Sequence, residues 1–137
     1  IDINLYPTGE AGVSNSKWRP VGLGLMGLQD VFFQLGMAFD GPEALALSTK
    51  ISEEIYYSAL SASCELAAEH GPHESFKETR AAAGDLQFDL WGVEPSDNQR
   101  WEALKDRISQ HGLRNSLMIA IAPTATIASI PSNGVNT

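Results

Sequence analysis

The sequence has 137 residues, of which 43% are hydrophobic and 19% are charged, a balance typical of a soluble globular domain and not of a disordered or fibrous chain. Its formal net charge of −8 argues against a surface that binds nucleic-acid backbone. The single cysteine, Cys64, excludes an internal disulfide and a metal site built from several cysteines. No segment reaches the roughly 20 apolar residues of a membrane span, and the lack of a signal peptide favours a cytoplasmic protein.

The first part of the chain predicts a short strand, a connection and a helix. Residues 1–20 are rich in Pro, Gly, Ser and Asn, which predicts a strand at 1–5 followed by a long irregular connection. From Val21 the pattern becomes apolar and helical, and this helix is expected to stop near Gly36. Its apolar residues recur at spacings of three and four, at Leu25, Leu28, Phe32 and Leu35.

The longest predicted helix runs from Pro42 to His70. Asp40 or Gly41 can cap it, and proline suits the first turn because its missing N–H has no partner there. Its apolar face is expected to consist of Leu47, Ile51, Ile55, Ala59, Ala62 and Leu66.

Shorter helical pieces are predicted over residues 73–96, where glycines and a proline interrupt the pattern. Ser96 is then expected to cap a helix that continues to about His111. Trp101, Leu104 and Ile108 of this helix are predicted to face inward, and the helix is expected to end at Gly112. Residues 21–112 are therefore predicted to form the helical part of the chain.

Residues 113–137 predict a buried strand that leads into a loop. The apolar run at 117–122 is unbroken, which is typical of a strand buried on both faces. Helices followed by such a strand indicate the α/β class, in a single domain whose other strands are expected to lie partly outside this sequence.

A G-x-G-x-x-G pattern at Gly22-Leu23-Gly24-Leu25-Met26-Gly27 raises the alternative of a nicotinamide-dinucleotide site. That site requires a buried strand running into the first glycine. The preceding residues are polar and end in Pro20, which is poor material for a central strand. The competing interpretation is that the small residues let the start of this predicted helix pack closely against a neighbour.

The junction after the predicted strand is the stronger candidate site. The strand is expected to lead into the N-terminus of a helix that contains Thr124, Thr126 and Ser129. Hydroxyls and unpaired backbone N–H groups at such a position can bind an anion without any lysine. Serine and threonine also cap helices for structural reasons, so a purely structural role stays open.

No residue is predicted to be catalytic or to bind a metal. Cys64 lies among small apolar residues of the long helix and is expected to be a core residue. The three histidines show no metal-ligand spacing. Glutamates of the long helix are expected on its solvated face, and the tryptophans are expected to pack.

Three segments, in this order, resemble the large subunit of ribonucleotide reductases. The first is Ile1-Asp2-Ile3-Asn4-Leu5-Tyr6-Pro7, followed by Glu10-Ala11 and Ser14-Asn15. The second is Arg19-Pro20-Val21-Gly22-Leu23-Gly24-Leu25-Met26-Gly27-Leu28-Gln29-Asp30. The third is Gly112-Leu113-Arg114-Asn115-Ser116 together with Ala120-Ile121-Ala122-Pro123-Thr124-Ala125-Thr126-Ile127-Ala128-Ser129-Ile130. At the end of the chain, Asn136-Thr137 departs from the Glu-Pro that the family shows there.

The resemblance implies a later portion of a ten-stranded α/β barrel, mostly helical and with one or two buried strands. It implies reduction of ribonucleotides to deoxyribonucleotides, for DNA replication, by radical chemistry on cysteines that lie outside this sequence. The chain is therefore expected to be inactive alone and to bind no cofactor itself. The full enzyme would need a radical generator, either a metal-containing small subunit or adenosylcobalamin. The expected partners are the remainder of the catalytic subunit and a ribonucleotide, with neither nucleic acid nor a membrane.

By position, the resemblance assigns the substrate-phosphate loop to Pro123, Thr124, Ala125, Thr126, Ile127 and Ala128. The alternative outside catalysis is a free-standing helical interaction module built on the long helix. It predicts a stable monomer without affinity for nucleotides.

Overall fold

A computed structural model describes residues 1–124, 126, 127 and 130. In this part the chain forms five α-helices, α1 Gly9–Trp18, α2 Leu28–Gln34, α3 Pro42–His70, α4 Gln87–Trp91 and α5 Asn98–His111. Short 3₁₀ helices lie at Phe76–Glu78 and Arg80–Ala83. The prediction of a mostly helical chain is confirmed.

Contacts divide the chain into two compact units. The larger comprises Ile1–Val21 and Tyr57–Met118, and the smaller comprises Gly22–Tyr56 and Ile119–Thr137. The long helix α3 contributes residues to both units.

The larger unit is built around α5 and the second half of α3. Trp101, Leu104 and Ile108 of α5 are buried, as predicted. The Trp101 ring makes edge contacts with Tyr57 and Phe88, at centroid distances of 5.1 and 4.7 Å. These aromatic contacts and the buried apolar stripe of α5 give the unit its core.

The predicted ends of α3 and α5 are confirmed, although the cap of α5 differs by one residue. Helix α3 begins at Pro42 and ends at His70. Helix α5 is capped by Asp97 and not by Ser96, because the Asp97 carboxylate accepts a hydrogen bond of 3.0 Å from the Arg100 N–H. Gly112 terminates α5 as predicted.

The buried face of α3 was predicted incorrectly at its C-terminal half. Ala62 and Leu66 are exposed, whereas Leu60, Cys64 and Ala67 are buried. The buried stripe is made largely of small side chains, which allow a close approach of neighbouring segments, and hydrophobicity alone does not identify such a stripe.

The prediction for the first 36 residues was wrong in three places. Residues 1–5 form no strand, and residues 9–18 form helix α1 where an irregular connection was expected. Thr8 starts this helix by accepting a hydrogen bond of 3.2 Å from the Ala11 N–H. Helix α2 begins at Leu28 and not at Val21, and residues 21–27 are non-helical.

The strand predicted at 117–122 is not formed in this chain. Within the described residues, its place is taken by a segment without regular secondary structure whose one bridge is a parallel bridge between Leu23 and Ile119. Leu117 is 64% exposed and Ile121 is 86% exposed. A strand buried on both faces requires neighbours at its edges and helices over its faces. In the described residues this segment has one bridge, to Leu23, and one further backbone hydrogen bond of 2.9 Å, from the Val21 N–H to the Leu117 carbonyl. The one or two buried strands and the α/β barrel are thus not seen in the described part.

Candidate functional site

The structure places part of the predicted phosphate loop at the surface. Pro123, Thr126 and Ile127 are exposed, and Thr124 is half-buried. The Ile130 N–H donates a hydrogen bond of 3.1 Å to the Ile127 carbonyl. Ala125, Ala128 and Ser129 lie outside the described residues.

The segment that leads into this loop lies against residues 22–24. The Ala120 N–H donates to the Leu23 carbonyl at 3.0 Å, next to the bridge between Leu23 and Ile119. A β-carbon added at Gly24 would stand 2.7 Å from the Ala120 carbonyl oxygen. One added at Gly22 would stand 3.0 Å from the Ala120 β-carbon. The two glycines therefore permit a backbone approach that larger residues would obstruct.

This geometry accounts for the G-x-G-x-x-G pattern without a dinucleotide. In the described part of the chain no strand enters Gly22, and helix α2 begins only after Gly27. The strand–turn–helix arrangement of a dinucleotide site is therefore missing here. Gly22 and Gly24 do pack closely against a neighbouring segment, but they lie before the helix, so the expectation that a helix start packs there was wrong in its location.

A polar node that the sequence did not reveal fixes residues 114–116 within the larger unit. The Ser63 hydroxyl donates to the Asn115 side-chain oxygen at 3.0 Å and accepts from the Asn115 N–H at 3.0 Å. The Asn115 amide nitrogen donates to the Arg19 carbonyl at 3.0 Å. Since Ser63 is 2% exposed, its hydroxyl depends on Asn115 for partners. A serine within an amphipathic helix gives no sequence signal for this role.

Arg19 is the second member of this node. It has a φ of 49°, the one positive φ at a non-glycine residue in the described part, and its N–H donates to the Asn15 carbonyl. Its guanidinium holds the Asp2 carboxylate with two hydrogen bonds, of 2.8 and 2.5 Å. This hydrogen-bonded pairing lowers the pKa of Asp2 to about 2. Asp2, Arg19, Ser63 and Asn115 together tie three separate parts of the chain to one point.

Arg114 ties the same segment to the end of α3. Its guanidinium donates to the carbonyls of His70 and Gly71, at 3.2 and 3.0 Å. Cations at a helix C-terminus satisfy carbonyls that lack an intrahelical partner. The Arg-Asn-Ser sequence at 114–116 is therefore a structural anchor for the segment that continues toward the loop.

The remaining candidates have structural positions. Cys64 is 1% exposed, and burial raises the pKa of its thiol. His73 is 2% exposed, its Nδ1 has no hydrogen-bond partner, and burial lowers its pKa. Among residues 1–124, 126, 127 and 130, no three His, Cys, Asp or Glu side chains cluster so as to hold a metal ion. None of the helices described is long and apolar enough to cross a membrane.

The comparison with known proteins decides the family. The family model "Ribonucleotide reductase, barrel domain" matches residues 1–137. This chain belongs to the ribonucleotide reductase barrel-domain family.

Relatives named as large subunits or large chains of ribonucleoside-diphosphate reductase support the assignment. The variola virus protein is 53% identical over 133 residues, covering 97% of this chain and 17% of the relative. The Arabidopsis thaliana protein is 50% identical over 133 residues, covering 97% of this chain and 16% of the relative. The Schizosaccharomyces pombe protein is 48% identical over 130 residues, covering 95% of this chain and 16% of the relative. The chain thus spans about one sixth of the length of these relatives.

Proposed function

We propose that this chain acts as a segment of a ribonucleotide reductase large subunit and that residues 123–128 bind the phosphates of the ribonucleotide substrate. The observation that carries the proposal is the match over the whole chain to the reductase barrel domain, together with about 50% identity to reductase large subunits. The loop lies in the matched region. The reaction is the reduction of a ribonucleotide to a deoxyribonucleotide, which supplies precursors for DNA replication.

The chemistry of the loop suits an anion. Residues 117–137 contain no lysine or arginine, so the phosphate charge would be met by backbone N–H groups and by the hydroxyls of Thr124 and Thr126. Such donors stabilise phosphate without the mobility of long cationic side chains. An acidic protein can therefore still hold a nucleoside diphosphate at this point.

The chain contributes no redox chemistry of its own in this proposal. Its one cysteine, Cys64, is buried and has a raised thiol pKa, so it is unsuited to exchange with a substrate or a partner. The reacting cysteines are contributed by the remainder of the catalytic subunit. The radical comes from a separate generator, a metal-containing small subunit or adenosylcobalamin, and the enzyme works in the cytoplasm.

The test replaces Thr126 by valine in the large subunit that contains this segment. Losing one hydrogen bond to a charged phosphate costs about 1–2 kcal/mol, or roughly a five- to thirtyfold weaker affinity for a ribonucleoside diphosphate. The matched control is Thr49→Val, because the Thr49 side chain is exposed and its hydroxyl donates to the Leu45 carbonyl of its own helix at 2.9 Å. Equal affinities of the Thr126 and Thr49 variants would remove the loop assignment.

A helical interaction module is the second candidate, and one observation favours it. The smaller unit has an open apolar cavity of about 600 Å³ lined in part by Phe32, Phe39 and Leu45, of which Phe39 is 73% exposed. Large exposed apolar surfaces mark interaction sites. The intact mass of the native polypeptide separates the two candidates. A mass several times 14.8 kDa supports the subunit, whereas a mass near that value, with no nucleotide affinity, supports the module.

A further inference from the structure

We propose that Gly24 is a positioning residue for the phosphate loop, and that Gly22 assists it. The inference rests on the proposed function, because it concerns how that loop is held. The residues involved all lie in the smaller unit. They act on the loop through Ala120, the residue that their added β-carbons would meet.

The first step is the closeness of the contact at Gly24. A β-carbon there would lie 2.7 Å from the Ala120 carbonyl oxygen, 3.8 Å from the Ala120 carbonyl carbon and 3.8 Å from the Ala122 nitrogen. All three are backbone atoms, so no side-chain rotation can relieve the clash. Any side chain at position 24 must displace the main chain at Ala120.

The second step is that Ala120 is already fixed from the same side. Its N–H donates to the Leu23 carbonyl at 3.0 Å, and the neighbouring Ile119 forms the parallel bridge with Leu23. A shift of the Ala120 carbonyl away from Gly24 therefore stretches or breaks the hydrogen bond beside it. Residues 22–24 thus determine where the segment lies as it approaches the loop.

The third step is the short and stiff connection from Ala120 to the loop. Pro123 follows after two residues, its ring fixes its own φ, and it restricts the backbone of Ala122. A displacement at Ala120 is therefore carried into Thr124 and is not absorbed on the way. Binding groups must be held to within about 0.5 Å of their productive positions, and a misplacement of about 1 Å can cost up to a hundredfold.

A substitution at Gly22 should displace Ala120 less, and a second substitution should relieve that displacement. Its added β-carbon would stand 3.0 Å from the β-carbon of Ala120, a side-chain methyl that can be removed. The Ala120→Gly change should therefore relieve Gly22→Ala. It should not relieve Gly24→Ala, because the obstructing atom there is a carbonyl oxygen.

The experiment measures the affinity of the large subunit for a ribonucleoside diphosphate and for the parent ribonucleoside. We expect Gly24→Ala to weaken diphosphate binding about tenfold or more, with ribonucleoside binding changed less than about twofold. Gly22→Ala should give a smaller loss, which the Gly22→Ala/Ala120→Gly double variant restores. The control is Gly9→Ala, because nothing lies within 4 Å of a β-carbon at Gly9.

Three outcomes would overturn the inference. In the first, Gly24→Ala leaves the diphosphate affinity unchanged. In the second, Gly24→Ala weakens the affinity for the diphosphate and for the ribonucleoside equally. In the third, Ala120→Gly fails to restore the diphosphate affinity of Gly22→Ala. If Gly24→Ala does not fold, the Gly22 and Ala120 variants decide by themselves. A loss of affinity in Thr126→Val combined with normal glycine variants rejects only the positioning role. Unchanged affinity in Thr126→Val rejects the proposed function, and the positioning role with it.

Discussion

Replacing Asn115 by alanine should destabilise the larger unit by about 2–3 kcal/mol. The change removes the hydrogen bond from the Ser63 hydroxyl and the one to the Arg19 carbonyl, both of 3.0 Å. Each such bond contributes about 0.5–1.5 kcal/mol, and a buried group left without its partner adds about 1–3 kcal/mol. The estimate stays at the lower end because the Ser63 oxygen keeps the Asn115 N–H as a donor.

Urea unfolding followed by tryptophan fluorescence measures this loss, because all three tryptophans of the chain belong to the larger unit. At a slope of about 1–1.5 kcal/mol/M the midpoint should fall by about 2 M. A double-mutant cycle with Ser63→Ala should show a coupling of about 0.5–1 kcal/mol or more. The control is Asn98→Ala, at an exposed residue, which should change stability by about 0.5 kcal/mol or less. A comparably small effect at Asn115 would refute the idea of a stabilising polar node.

Three further predictions concern the same unit. Leu104→Ala should cost about 2–5 kcal/mol because Leu104 is 1% exposed, whereas Leu66→Ala, at a residue 44% exposed, should cost clearly less in the same urea assay. Arg19 lowers the pKa of Asp2 in the folded state from 3.8 to about 2, so the pair stabilises the fold above about pH 4. This stabilisation should be lost as the pH falls from about 4 to 2. Asp2→Asn should remove that part of the pH dependence of unfolding, and an identical pH profile in the variant would contradict the prediction. The Cys64 thiol should react with a disulfide reagent at least about a hundredfold faster in urea than in the native state, since it is buried and its pKa is raised, and equal rates would show that the thiol is accessible.

Local sequence signals predicted the two principal helices well. Pro42 and Gly71 bound α3, and the residues around Asp97 and Gly112 bound α5. These signals act within a few residues along the chain, through caps, missing donors and permitted backbone angles. The short helix α1 was missed because its Gly- and Ser-rich composition outweighed the single cap at Thr8.

Features that depend on distant neighbours were predicted less well. The apolar run at 117–122 has the composition of a buried strand, but a strand forms only where a ladder partner is present, and in the described part Leu23 is its one bridge partner. The buried stripe of α3 was displaced because Ser63 and Cys64 occupy it in place of Leu66. The node at Asn115 joins residues 52 and 96 positions away, which no local pattern can reveal.

The candidate loop was located from its resemblance to a family and from the hydroxyl-rich junction, and the comparisons confirm the family. The role of Gly22 and Gly24 required the structure. The pattern of glycines suggested close packing, but the structure was needed to identify Ala120 as the neighbour.

Hydrogen–deuterium exchange of the large subunit, with and without a ribonucleoside diphosphate, tests the central claim most directly. If the backbone N–H groups of residues 123–128 hold the phosphates, peptides covering 117–130 should exchange more slowly when the nucleotide is bound, while peptides covering α5 should change little. Saturating nucleotide that leaves exchange in 117–130 unchanged would contradict the account.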